Sequence, residues 1–270
     1  MPRTTNTNAN PQPTCLERLF NISVAGRQLE ALHLTGISAD RPTIIFLHEG
    51  LGSVSLWRDF PQCVVAATGC SALVYSRYGY GQSDVLGESR QPDYMHREAL
   101  DVLPAVLKQC EIEKPILFGH SDGASIALIH AGAGHDVAGV IVEAPHLFVE
   151  DISLQGATQA ALTYRTNDLP QKLARHHRDA DKTFWGWHDI WTSAAFRDWN
   201  IESHVASIRC PILAIQGEQD EYGSAAQIHA IAKACPDITS AHLLADCGHT
   251  PHKDQANPTL ELASSFIRTL

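Results

Sequence analysis

One short segment constrains this chain more than any other. Gly119-His120-Ser121-Asp122-Gly123 is a G-x-S-x-G sequence that directly follows the apolar run Pro115–Phe118 (PILF) and directly precedes the helix-like ASIALIHA. A serine in that context sits on a sharp strand-to-helix turn, where small neighbours admit the strained backbone and the hydroxyl stands at the carboxyl edge of a sheet. The helix that starts there adds free amides and its positive dipole end. A purely structural turn is the alternative, and the strand before and helix after favour a nucleophile.

The rest of the chain reads as strands alternating with helices around this turn. Leu19–Val24 and Gln28–Thr35 form a strand pair across Ala25-Gly26, and short apolar runs follow at Thr43–Leu47, Ala72–Tyr75, Pro115–Phe118, Val137–Val142, Pro211–Ile215 and Ala241–Leu244. Runs of this kind suit parallel strands covered on both faces. Helical windows lie near Leu56–Ala67, His96–Cys110, Ala124–Ala131, Ser224–Lys233 and Pro258–Arg268. This alternation predicts a doubly wound α/β sheet. One segment interrupts it: 146–207 has no strand-like run and holds Trp185, Trp187, Trp191 and Trp199, with Phe184 and Phe196. It is expected to be a helical cap whose aromatics either glue it to the core or line a substrate pocket, with Trp185 and Trp187 the candidate lining residues. The expected organisation is a disordered tail over 1–14, a core over 15–145, the cap over 146–207 and the rest of the core over 208–270.

A serine hydroxyl needs a base to take its proton, and the base needs a carboxylate to orient it. The run PILAI leads into Gln216-Gly217-Glu218-Gln219-Asp220, and the last strand candidate leads into Asp246-Cys247-Gly248-His249-Thr250. Both place their functional group at the carboxyl edge of the sheet, where open α/β sheets bind ligands. Ser121, Asp220 and His249 are therefore the candidate catalytic residues, with Glu218, Glu221 and Glu143 as rival acids. His252, close to His249, and the pair His176-His177 bring no third ligand at metal spacing, so no metal is expected; His252 reads as a solvated or supporting group and His176-His177 as a polar surface pair. The loop His48-Glu49-Gly50-Leu51-Gly52-Ser53 is expected to supply an oxyanion-hole amide at Gly50, paired with the amide of Asp122. Arg77-Tyr78-Gly79-Tyr80-Gly81-Gln82-Ser83 reads as a structural turn.

Composition removes other classes. With 20 Lys+Arg against 30 Asp+Glu the formal net charge is −10, the wrong sign for nucleic acid or an anionic membrane surface. Hydrophobic residues make up 44% of the 270 positions, enough for a large core. The first fourteen residues lack an apolar export segment, and the seven cysteines contain no CxxC pair and read as thiols of a reducing compartment. A cytoplasmic protein, monomer or homodimer, acting on a small molecule without a cofactor is expected.

The HEGLGS loop, SRYGYGQS, GHSDG, QGEQD and DCGHTPH, in this order, resemble the α/β-hydrolase superfamily over almost the whole chain. The resemblance implies its fold: a mostly parallel eight-stranded sheet with helices on both faces and a helical cap. Within the superfamily the chain is similar to valacyclovir hydrolase (biphenyl hydrolase-like), which also has Asp after the nucleophile and a Trp-rich cap running into a Cys-Pro strand, here Cys210-Pro211. It is also similar to the meta-cleavage C–C hydrolases. The first resemblance implies that Asp122 holds the amino group of an α-amino ester; capping the helix is its other reading. Glu49 departs from the superfamily's usual glycine and is either a second substrate anchor or a structural group. The expected activity is a serine hydrolase of a small carboxylic ester, an α-amino ester among the candidates. Alternatives are a C–C hydrolase or thioesterase and, in other classes, a cofactor-free oxygenase or peroxidase or a ligand receptor on the same fold.

Overall fold

A computed structural model of the chain describes residues 15–270; the tail expected over 1–14 lies outside the described residues. Eight strands form one sheet in the order β1-β2-β4-β3-β5-β6-β7-β8. They are β1 (Glu17–Val24), β2 (Arg27–Leu34), β3 (Ile44–Leu47), β4 (Ala72–Tyr75), β5 (Ile116–His120), β6 (Gly139–Glu143), β7 (Ile212–Gly217) and β8 (Thr239–Leu244). β1 and β2 pair antiparallel, as do β2 and β4, and every other pairing is parallel. Ala25 and Gly26 both take positive φ, 50° and 78°, which gives the β1–β2 hairpin the tight two-residue turn whose twist suits paired strands.

β3 to β7 are buried on both faces, whereas the edge strands β1 and β8 are largely exposed, and the period of two sorts the buried positions into two cores. Ile45, Leu47, Leu73, Leu117, Val140 and Val142 face one core, under the helices Leu103–Gln109, Asp122–Gly132 and Ala226–Ala234. Ile44, Phe46, Val74, Ile116, Phe118, Ile141 and Ile215 face the other, under Phe60–Thr68 and Ala256–Ile267. β5 runs to His120, past the expected Phe118, because His120 continues the ladder opposite Glu143. β6 starts at Gly139 rather than Val137.

Two helical windows are broken. Val54–Trp57 forms a 3₁₀ turn and the helix begins only at Phe60, because Arg58 takes a φ of 55°. The window His96–Cys110 contains a wide turn at Glu98–Val102. Pro104 has no N–H to return to the preceding turn, which relaxes the regular ladder there. Between β6 and β7 the chain leaves the sheet as the helices Asp151–Thr166, Leu169–Leu173, Ala180–Trp191 and Glu202–Val205. Among the described residues no helix is long and apolar enough to cross a membrane.

Candidate active site

β5 ends in the sharp turn that the G-x-S-x-G sequence foretold. Ser121 has φ 53° and ψ −117° and immediately precedes the helix Asp122–Gly132. The two glycines are required by contact: a Cβ on Gly123 would overlap the Leu47 carbonyl, and one on Gly119 would overlap the carbonyl of Gly123. Because β3 pairs directly with β5, Leu47 opposite Gly119, the loop after β3 lies beside this turn.

β7 and β8 bring the other two candidates to the same edge. His249 Nε2 stands 2.9 Å from Ser121 Oγ, and His249 Nδ1 stands 2.8 Å from Asp220 Oδ1. An ionised carboxylate only accepts, so Nδ1–H donates to Asp220 and Nε2 is left to accept from the serine hydroxyl. Asp220 also accepts from the amides of Tyr222 (2.8 Å) and Gly223 (3.2 Å) and from Gln216 Nε2 (2.6 Å). Burial opposes its charge, but His249, the Tyr222 amide and the nearby His146 outweigh burial and hold its carboxyl below the usual aspartate value. Such a chain can remove the hydroxyl proton.

None of the rival acids takes the place of Asp220 at His249 Nδ1. Glu143 is fully buried against His252, Oε2 to Nδ1 2.6 Å; Glu221 accepts from the His249 amide at 3.2 Å; Glu218 is exposed. His252 is therefore buried rather than solvated. His177, expected at the surface, is also buried: it accepts from the Gly81 amide at 2.9 Å and donates to the Leu51 carbonyl at 3.0 Å, stitching the insertion to two core loops. Among the described residues no group of three or more His, Cys, Asp or Glu side chains is arranged to hold a metal ion.

A cavity of about 100 Å³ opens onto Ser121 and His249. Its walls are largely apolar: Leu51 from the loop after β3, Trp187 and Trp191 from the insertion, and Tyr222 from the loop after β7. Glu49, Gly50, His146 and Ser153 complete it. Of the candidate binding residues, Glu49 and Trp187 reach this cavity. Trp185 lies instead in a separate surface groove with Leu86 and Arg90, because it is off the helix face that carries Trp187 and Trp191. Asp122 is also absent from the wall. Its carboxylate is fully buried behind the turn, accepting from Tyr94 Oη (2.7 Å), Trp191 Nε1 (3.3 Å) and Arg77 Nη2 (3.4 Å), and it makes no side-chain cap on its helix.

Glu49 is half-buried at the cavity wall, its Oε2 3.5 Å from His120 Nδ1. His120 Nε2 donates to the His249 carbonyl at 2.7 Å. Burial disfavours both charges, yet the pair sustains them: His120 is raised above its ordinary value by Glu49 and Glu143, and Glu49 is held well below the usual glutamate value by His120 and Lys253. His146, not singled out by the sequence, is 2% exposed and its Nδ1 has no partner among the described residues; burial and the nearby His249 push it down to about 4. Trp191 was legible in principle, one helical turn beyond Trp187. Nothing in the sequence marked His146.

The sequence model described as the alpha/beta hydrolase family matches residues 44–263. No curated protein sequence gives a significant match. Among solved structures the chain is similar to VinJ, with 21% identity, a TM-score of 0.71 and coverage of 94% of this chain and 99% of that one. It is similar to the proline iminopeptidase of Mycobacterium smegmatis, with 15% identity, a TM-score of 0.73 and coverage of 93% and 98%. The enol-lactonase of Burkholderia xenovorans matches with 17% identity, a TM-score of 0.70 and coverage of 92% and 99%. At these identities the likeness is one of fold.

Proposed function

The chain belongs to the alpha/beta hydrolase family, and on that premise we propose that it is a serine hydrolase cleaving a small carboxylic ester through an acyl-enzyme. The observation that carries this reading is the hydrogen-bonded chain from Ser121 Oγ through His249 to Asp220, at 2.9 and 2.8 Å. In this mechanism His249 takes the Ser121 proton as the oxygen attacks the ester carbonyl, and the developing oxyanion is received by the amides of Gly50 and Asp122. His249 returns the proton to the departing alcohol. Water then repeats the sequence on the acyl-enzyme, releasing the acid and restoring Ser121.

The small, apolar cavity suits a short acyl group. The α-amino ester variant passes from Asp122, whose oxygens are engaged, to Glu49, the carboxylate in the cavity wall. A carboxylate there attracts an ammonium and repels anionic dienones and acyl-CoA, which weighs against the C–C hydrolase and thioesterase alternatives.

The test is kcat/KM for a free α-amino ester and its N-acetylated twin. Wild-type turnover falls on the order of 10³-fold or more in Ser121→Ala; turnover that survives this change sinks the hydrolase reading. The free amine is favoured by roughly tenfold, a difference of about 1.4 kcal/mol, and Glu49→Gln removes the preference. Equal rates for the twins leave the esterase and remove the amino selectivity.

A further inference from the structure

Arg77, at the end of β4, joins the two loops that carry the proposed oxyanion donors, and we propose that it is a positioning residue for that pair. The inference rests on the serine-hydrolase reading. Arg77 is 1% exposed, and its guanidinium lies over the Tyr80 ring at 4.6 Å. Three donors converge on the Glu49 carbonyl oxygen: His48 Nδ1 at 2.7 Å, Arg77 Nη2 at 2.9 Å and the Gly52 amide at 3.1 Å. The tautomer of His48 follows from its other nitrogen. Nε2 accepts from the Arg77 amide at 3.0 Å, so Nδ1 carries the proton and donates to Glu49. The side chain and the backbone of Arg77 thus act on the same carbonyl, one directly and one through His48.

The consequence lies on the other side of that peptide. In a planar trans peptide the C=O and the next N–H point in opposite directions. A Glu49 carbonyl drawn in toward Arg77 therefore turns the Gly50 N–H outward, to the cavity that Gly50 lines. The second proposed donor, the amide of Asp122, is the first N–H of its helix and has no partner within that helix. The same Arg77 Nη2 that holds Glu49 reaches the Asp122 carboxylate at 3.4 Å and the His48 carbonyl at 3.3 Å. One buried guanidinium fixes the carbonyl behind one donor and the side chain of the residue that supplies the other. An oxyanion hole works by donors already in place when charge develops, so the spacing between them sets the rate. Asp122 thereby acquires a part distinct from both substrate anchor and helix cap: it is the counter-charge that holds Arg77.

The test uses the double variant Arg77→Met/Asp122→Asn, which removes both buried charges together, beside Arg77→Lys, which keeps the charge opposite Asp122. Three quantities are read on the full-length protein: kcat, KM for the best ester, and the inhibition constant of a trifluoromethyl ketone carrying the same acyl group, whose serine adduct bears an oxyanion. The expected result for the double variant is a loss of kcat on the order of 100-fold, an inhibition constant raised by a similar factor, and KM within about threefold of wild type. Arg77→Lys restores part of both losses. Unchanged kcat in either variant, or lowered kcat with an unchanged inhibition constant, overturns the positioning role. If the double variant does not fold, Arg77→Lys alone decides, with kcat and inhibitor affinity falling together or the proposal failing. Failure of the hydrolase reading shows separately, as wild-type turnover that survives Ser121→Ala.

Discussion

At the scale of single residues, Ser121 holds a φ of 53°, a region that side-chain-bearing residues rarely occupy. The turn persists because Gly123 lets the helix start pack against the Leu47 carbonyl. Gly123→Ala forces the two apart: the expected outcome is a melting temperature lowered in step with about 2–4 kcal/mol of lost stability and hydrolase turnover reduced on the order of 100-fold as Ser121 leaves His249. Thermal melts and initial rates on one preparation check both. Residue type and local spacing pointed to Ser121, Asp220 and His249. The Asp122 carboxylate was not readable in this way. Its partners Tyr94, Arg77 and Trp191 lie 28, 45 and 69 residues away, and no local pattern records that they meet.

At the scale of elements, the helix Ala180–Trp191 turns an aromatic face into the molecule. Asp179 caps it, accepting from the Lys182 amide at 2.9 Å, and Trp187 and Trp191, four residues apart, fall on one side. Trp187 packs so closely over Gly50 that a Cβ there would strike the indole ring, which makes this helix the roof above the proposed oxyanion loop. Trp187→Ala lifts that roof. On the proposed ester-hydrolase reading, activity on longer acyl esters is expected to rise roughly tenfold relative to the acetyl ester, at a stability cost of about 3 kcal/mol; an acyl-chain-length series with a denaturant titration measures both. Aromatic richness marked the segment, but the side that faces the cavity depends on how the helix is rotated against the core. That rotation is why Trp187 lines the cavity and Trp185 does not.

At the scale of the whole molecule, buried neutral histidines govern the response to acid. His130, His146 and His177 are each pushed down to about 4, burial being the largest cause. Each folded value lies below the ordinary 6.5, so the unfolded chain binds protons that the folded chain refuses. Their effect is absent above 6.5 and grows as pH falls toward 4. Together the three remove roughly 3–4 kcal/mol of stability per pH unit near pH 5. His120, raised by its carboxylate neighbours, opposes this: its contribution is present in acid and fades as pH rises through its folded value. Denaturant midpoints measured from pH 7 to pH 4 are expected to fall steeply below 6.5. His146→Phe, which leaves a similar ring volume without a proton site, lessens the slope by roughly 1 kcal/mol per pH unit near pH 5; an unchanged slope rejects the assignment of that proton.

The fold was legible because its signals are local: apolar runs of strand length, helices between them, and a sharp G-x-S-x-G turn between one strand and one helix. Each of the eight strands lies where a run or the hairpin pair placed it, with ends moved by a few residues where pairing prolonged or shortened the ladder. The order of the triad candidates along the chain carried their meeting at one sheet edge, because parallel strands deliver every carboxyl end to the same side. Burial and partnership were different. Whether Glu49, Asp122, His146, His177 or Arg77 faces a cavity, a counter-charge or a carbonyl is decided by residues tens of positions away, brought close only when the sheet and its loops assemble. A titratable side chain takes its role from the dielectric and the partners around it, and both are created by tertiary packing.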